Sequence, residues 1–175
     1  MRSAIAAIWC VLALAAVDLS VAQKERLLAE GKIVYLELLP VDPRSLMQGD
    51  YMVLRFKVAA EAQRVLPGPA GSSLERAAQT GDGRIVVALD ERSVGRFQRI
   101  DDGQPLAANE VRLRYRVRNG TLKFATNAFF FQEGHAQDYR GARFGQLRVA
   151  PDGELLLQAL RDEQLKLLAA PADPQ

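Results

Sequence analysis

The sequence predicts a mainly β fold: a small antiparallel barrel or sandwich of about seven strands, preceded by an N-terminal membrane-anchoring helix. Three observations carry this. Beyond Gly31 apolar residues recur at every second position, the period of a half-buried strand. Tight-turn signals punctuate these runs, above all Asn119-Gly120, where both residues tolerate the positive φ of a two-residue hairpin. Ala4 to Val17 are uniformly apolar and follow a cationic start, the terminal amine and Arg2.

The N-terminal run is the first element. A membrane span needs about 20 largely apolar residues. Residues 3–22 reach that length if Asp18 and Ser20 are included. Asp18 lies near the end of the run, where a carboxylate reaches headgroup water and costs far less than at mid-bilayer. The alternative is a signal peptide cleaved near Ala22, with Ser20-Val21-Ala22 as its small-residue exit. Trp9 precedes Cys10 where a lipoprotein signal has a small residue. Helical patterning continues through Val21, Leu27 and Leu28, and Gly31 is a suitable stop. Arg2 and the amine favour a cytoplasmic N-terminus, while Lys24, Arg26 and Lys32 flank the other side. The expected organisation is an anchor helix over 1–31, a β domain over 32–161 and a polar tail over 162–175.

The strands follow in order. "KIVYLELLP" places Val34, Leu36 and Leu38 on one face, and "YMVLRFKVAA" does the same with Met52, Leu54, Phe56 and Val58. Residues 61–83 are rich in Gly and Pro and read as loop, with a short helix capped by Ser72 or Ser73. "RIVVALDE", apolar on both faces, is a central strand, and "SVGRFQRI" is a weaker one before the Asp102-Gly103 turn. In "VRLRYRVRNGTLKF" Val111, Leu113, Tyr115 and Val117 alternate with four arginines, and Leu122 and Phe124 return to the same core. "EGHAQDYRGARF" suits a helical turn. "QLRVAPDGELLLQAL" is a hairpin, with a type I turn at Ala150-Pro151-Asp152-Gly153. Residues 161–175 read as a frayed polar tail with a weak helical start.

Composition excludes several function classes. A net charge of +2 with 25% charged residues gives no footprint for nucleic acid. One Cys and one His leave neither an internal disulfide nor a His/Cys zinc cage within the chain. No cofactor motif is present.

The densest stretch is "PVDPRSLMQGDYMVLRF", residues 40–56. It parses as a connector: Asp42 caps one helical turn, Pro43 takes its first position, Gly49 makes the exit and Asp50 accepts local hydrogen bonds. Its functional alternative is a charged lip of Asp42, Arg44, Asp50 and Arg55 around Tyr51 that contacts a partner or ligand.

"GDYMVLRF" resembles the signature of the GDYXXLXY protein family at Gly49, Asp50, Tyr51 and Leu54, with Phe56 in place of the final Tyr. The lead-in "PVDPRSLMQ" and the later "FFFQEGHAQDYRGARFGQLRVAPDGELLLQAL" are similar to the family's other conserved parts. The likeness spans roughly residues 24–161 and is carried least by 61–105. It implies a bacterial protein with an N-terminal membrane-spanning segment and an extracytoplasmic domain, in a family often found beside polytopic membrane proteins. It implies no activity, cofactor or catalytic residue. Leu54 and Phe56 share the core face, so the missing Tyr hydroxyl falls at a packing position.

A Ser45/Lys57 hydrolase pair needs a buried, neutral lysine within reach of the hydroxyl, and Lys57 falls on the polar face of its strand. Glu133, His135 and Asp138 match no strong metal spacing. Glu133, His135 and Tyr139 are candidate contacts, although a solvent-facing His and an aromatic core lid are the plainer roles. The Arg112, Arg114, Arg116 and Arg118 stripe suits the solvated face of an outer strand, or else contact with anionic headgroups or an acidic partner. Phe129, Phe130 and Phe131 in succession require cover on both faces; an open face would be a binding patch.

The functional expectation is a non-enzymatic accessory or interaction domain, single-pass in a bacterial inner membrane and facing the periplasm. It touches lipid through the N-terminal helix and partners an integral membrane protein. The alternatives are the membrane-bound Ser45/Lys57 hydrolase and a periplasmic ligand-binding domain with a pocket behind the Gly49-Asp50-Tyr51 turn.

Overall fold

Helix α1 (Arg2–Glu30) runs unbroken to Gly31, whose amide donates to Leu27 O at 2.9 Å and closes the last turn. A computed structural model describes residues 2–39, 47–48, 51–66, 81–124, 126 and 128–168, with the side chains of 2–8 and 47–48 left aside. The strands that follow are β1 (Lys32–Glu37), β2 (Met47–Gln48), β3 (Tyr51–Val53), β4 (Gly81–Leu89), β5 (Gly95–Ile100), β6 (Glu110–Arg118), β7 (Thr121–Lys123), β8 (Ala128–Phe130), β9 (Phe144–Val149) and β10 (Leu155–Arg161). A second helix, α2 (Lys57–Val65), and a 3-10 turn at Ala136–Tyr139 complete the described elements.

Pairing in the three sheets is antiparallel, in the orders β1-β9-β10, β2-β3-β8 and β5-β4-β6-β7. The β1-β9-β10 and β5-β4-β6-β7 sheets together hold seven strands and meet at a seam. There Tyr35 N donates to Ser93 O at 3.0 Å, and Tyr35 forms a parallel bridge with Val94. Gly95 permits the approach, since a Cβ there would lie 2.9 Å from Leu36 Cδ2. On the far side Arg114 N donates to Gly153 O at 2.8 Å, so the β9–β10 turn docks on β6. The result is a mainly β fold of antiparallel sheets that curve into a half-barrel.

The alternation seen in the sequence fixes the inside of this curve. Val34, Leu36, Leu113, Leu147 and Leu160 are fully buried, and Ile85, Val86 and Val87 are buried on both faces of β4, the central strand expected. The β6–β7 hairpin turns on Asn119 (φ 54°) and Gly120 (φ 68°). The β9–β10 turn closes with Gly153 N donating to Ala150 O at 2.9 Å.

Four expectations are corrected. The strand expected over 51–60 stops at Val53, and α2 begins at Lys57. The apolar face survives the change: Met52, Leu54, Phe56 and Val58 are all buried, and α2 then buries Ala62 four residues after Val58. Ala59, Ala60 and Ala62 supply strong helix propensity that overrides the strand period. Second, the first residues of the expected 61–83 loop belong to α2 and its last to β4; the expected Ser-capped helix lies outside the described residues. Third, β6 is not an outer strand, because it lies between β4 and β7. Fourth, the C-terminal segment has no helical start: Leu165 turns at φ 63°, Leu167 bridges Arg161, and Leu168 N donates to Leu160 O at 3.1 Å.

Candidate functional site

The family-like segment places its described residues in two layers. Tyr51, on β3, stands opposite Phe130 of β8 with ring centroids 5.8 Å apart. Val53 shares that face and is 39% exposed, and Phe130 is 74% exposed. This small sheet therefore presents an apolar patch to its surroundings. Leu54 and Phe56 point the other way, into the core. The Phe56 ring meets Phe124 edge-on at 5.9 Å and lies over Gly145. Arg55 is exposed, and its carbonyl accepts from Leu39 N at 2.8 Å. Asp42, Arg44, Ser45, Gly49 and Asp50 lie outside the described residues.

The second candidate group divides. His135 and Glu133 are exposed; His135 Nδ1 lies 2.8 Å from Asp138 Oδ2. Among the described residues no group of three potential ligands converges on a metal position. Of the two roles open to Tyr139, contact residue or core lid, its burial fits the core lid. It is 6% exposed, with Phe129 at 5.0 Å and Phe131 at 5.3 Å between ring centroids. Burial and the neighbouring Asp138 charge push its hydroxyl pKa up, so it stays protonated. The three successive phenylalanines thus split, two against Tyr139 and Phe130 outward.

Lys57 sits at the start of α2, and its Nζ donates to Glu37 Oε2 at 2.8 Å with both side chains nearly half exposed. The Glu37 hydrogen bond, then its charge, raise the Lys57 pKa. A general base needs the opposite shift; Ser45 lies outside the described residues.

A cleft that periodicity does not reveal opens between α2, β1 and β5. Its volume is about 530 Å³. Acidic Glu37, Glu61 and Asp90 and basic Lys57, Arg64, Arg92 and Arg96 line it above Val58, Val94 and Phe97. Val58 and Ala62 of α2 are buried, while Glu61 and Arg64 of the same helix line the cleft. The pocket expected behind Gly49-Asp50-Tyr51 lies outside the described residues at its first two positions.

The arginine stripe is largely paired within the chain. Arg112 Nε lies 3.0 Å from Asp101 Oδ2, Arg118 Nη1 3.0 Å from Asp82 Oδ1, and Arg114 Nη1 4.0 Å from Asp152 Oδ2. Arg116 has no ion pair among the described residues.

No curated protein and no solved structure matches the chain. The model of the GDYXXLXY protein family matches residues 13–160, from within α1 into β10. With the signature strand, the core-facing Leu54 and Phe56 and the closing hairpin all inside that match, the chain belongs to the GDYXXLXY protein family.

Proposed function

We propose that this chain is a membrane-anchored accessory domain, without enzymatic activity of its own, that docks an integral membrane protein on the periplasmic side of a bacterial inner membrane. The observation that carries the proposal is the apolar patch of Tyr51, Val53 and Phe130 on the signature sheet. A Phe that is 74% exposed on a three-residue edge strand is poorly suited to water and well suited to a partner.

The anchor is α1. Among the described residues no helix is long and apolar enough to cross a membrane. The described side chains begin at Trp9, and the apolar run of the sequence begins in front of it. The proposed span, residues 3–22, takes in both parts, and from Trp9 to Val21 its large apolar side chains are exposed, as lipid contact requires. The chain needs no cofactor for such a role.

Photocrosslinking tests this. A benzoylphenylalanine at position 130 of the full chain should yield a covalent adduct with a polytopic membrane protein, and Phe130→Asp should abolish co-purification in mild detergent. Recovery of the chain alone, with no adduct, would sink the proposal.

The charged cleft favours one other reading, a periplasmic ligand-binding domain. Its volume lies in the range of small-molecule sites, and its mixed charges suit a zwitterion. A thermal-shift panel of free amino acids and dipeptides decides it: no shift with any of them removes this reading.

A further inference from the structure

We propose that a small cationic pocket beside the end of α1 binds the phosphate of an anionic phospholipid headgroup. Its volume is about 140 Å³, and Lys24, Arg114, Arg116 and Lys123 line it with Glu154 as the single acid. That is room for several waters' worth of ligand, at about 30 Å³ each, and below the range of whole small-molecule sites. It fits one compact anion whose remainder lies outside.

Like charges face each other across the strands. Arg116 and Lys123 stand directly opposite each other in the β6–β7 register, and Arg84 stands opposite Arg114 in the β4–β6 register. Like charges directly across a strand pair are destabilising. Arg116, Lys123 and Arg84 have no ion pair among the described residues, while Glu154 is engaged by Lys24. An anion between Arg116 and Lys123 relieves the repulsion and gains charge-assisted hydrogen bonds from both.

Position selects the source of the anion. Lys24 is two residues beyond the proposed span 3–22, about 3 Å along the helix axis. The end of α1 is fixed to the β domain by buried Leu27 and by Arg148 Nη1, which donates to Gly31 O at 3.0 Å. The pocket is therefore held at headgroup depth. This last step rests on the anchor of the proposed function; the pocket's affinity for an anion does not.

Calorimetry on the full chain in neutral detergent tests the assignment with dihexanoyl phosphatidylglycerol, dihexanoyl phosphatidylcholine and inorganic phosphate as probes. Phosphatidylglycerol should bind and phosphatidylcholine should not, since its choline meets the same cations. Arg116→Gln with Lys123→Gln should weaken binding by about tenfold or more. Arg118→Gln, paired to Asp82 elsewhere on the strand, should leave it unchanged. Raising ionic strength from about 0.1 to 1 M, which shortens screening from about 10 to about 3 Å, should weaken it too. The double variant should melt no lower than the parent without lipid, because it removes a repulsion. Failure of phosphatidylglycerol to bind, or binding that survives the double variant, overturns the proposal. Tighter binding of inorganic phosphate than of phosphatidylglycerol overturns the lipid source while the fate of the Phe130 crosslink stands separately.

Discussion

At Phe56 the chain passes from strand to helix without leaving the core. Its carbonyl accepts from Ala59 N and Ala60 N at 3.1 and 3.3 Å, and its ring fills the space over Gly145. A Cβ at position 145 would lie 2.9 Å from Phe56 Cε1 and 3.2 Å from Leu157 Cδ1. Gly145→Ala should therefore cost about 1–3 kcal/mol by overpacking, a fall in Tm of several degrees. Adding Phe56→Leu should recover part of that loss, and thermal melts of the three variants measure the coupling. Glu110 poses a different residue-scale question. Arg99 Nη1 lies 2.6 Å from its Oε1, and Ala107 N donates to its other oxygen at 3.0 Å. The Arg99 hydrogen bond and then the backbone donor hold its pKa below the ordinary glutamate value. A depressed carboxylate pKa gives stability that is present above the unfolded value and is lost as pH falls through the folded one. Melts on the acid side should show this loss in the parent and a flatter profile in Glu110→Gln.

Elements were legible where one period ruled them. Val111 to Val117 alternate cleanly, Asn119-Gly120 has its own turn chemistry, and both β6 and its hairpin form as the sequence predicts. The segment after Val53 was harder, because Met52, Leu54, Phe56 and Val58 fit a strand while Val58 and Ala62 fit a helix. The alanines tip it to helix, and a distant contact then holds the helix in place: Gln63 of α2 donates to Gly120 O, and Leu122 N donates to Gln63 Oε1 at 3.1 Å. One side chain thus clamps the β6–β7 turn to α2, and no local spacing encodes that. Of the candidate contact residues, Tyr51 and Arg55 were legible as exposed or half-exposed, and Tyr139 takes the plainer role of core lid between its two phenylalanine neighbours. Gln63→Leu should leave the Leu122 amide without its partner, costing about 1–3 kcal/mol. Hydrogen exchange at Leu122 should quicken ahead of the β4 amides, and equal protection in parent and variant would contradict the clamp.

At the scale of the whole molecule, the end of α1 is part of the packed β structure. The family match begins at residue 13, and the last turns of α1 are packed against β9 and β10. Leu27 is 7% exposed, Lys24 bonds to Glu154 and Arg148 reaches the Gly31 carbonyl. Gly31 itself could not carry a side chain, since a Cβ there would meet Leu27 O at 2.4 Å. Contacts of this length in sequence leave no periodic trace, and for that reason the helix looks separable when read alone. A chain beginning at Gln23 should keep the β signature in circular dichroism and melt close to the full chain, whereas one beginning at Lys32 should melt lower or fail to fold. Leu27→Ala in the shorter chain should cost about 2–5 kcal/mol, the range for truncating a buried leucine. If that variant melts with the parent, the end of α1 contributes nothing to the half-barrel, and its packing on β9 and β10 is incidental.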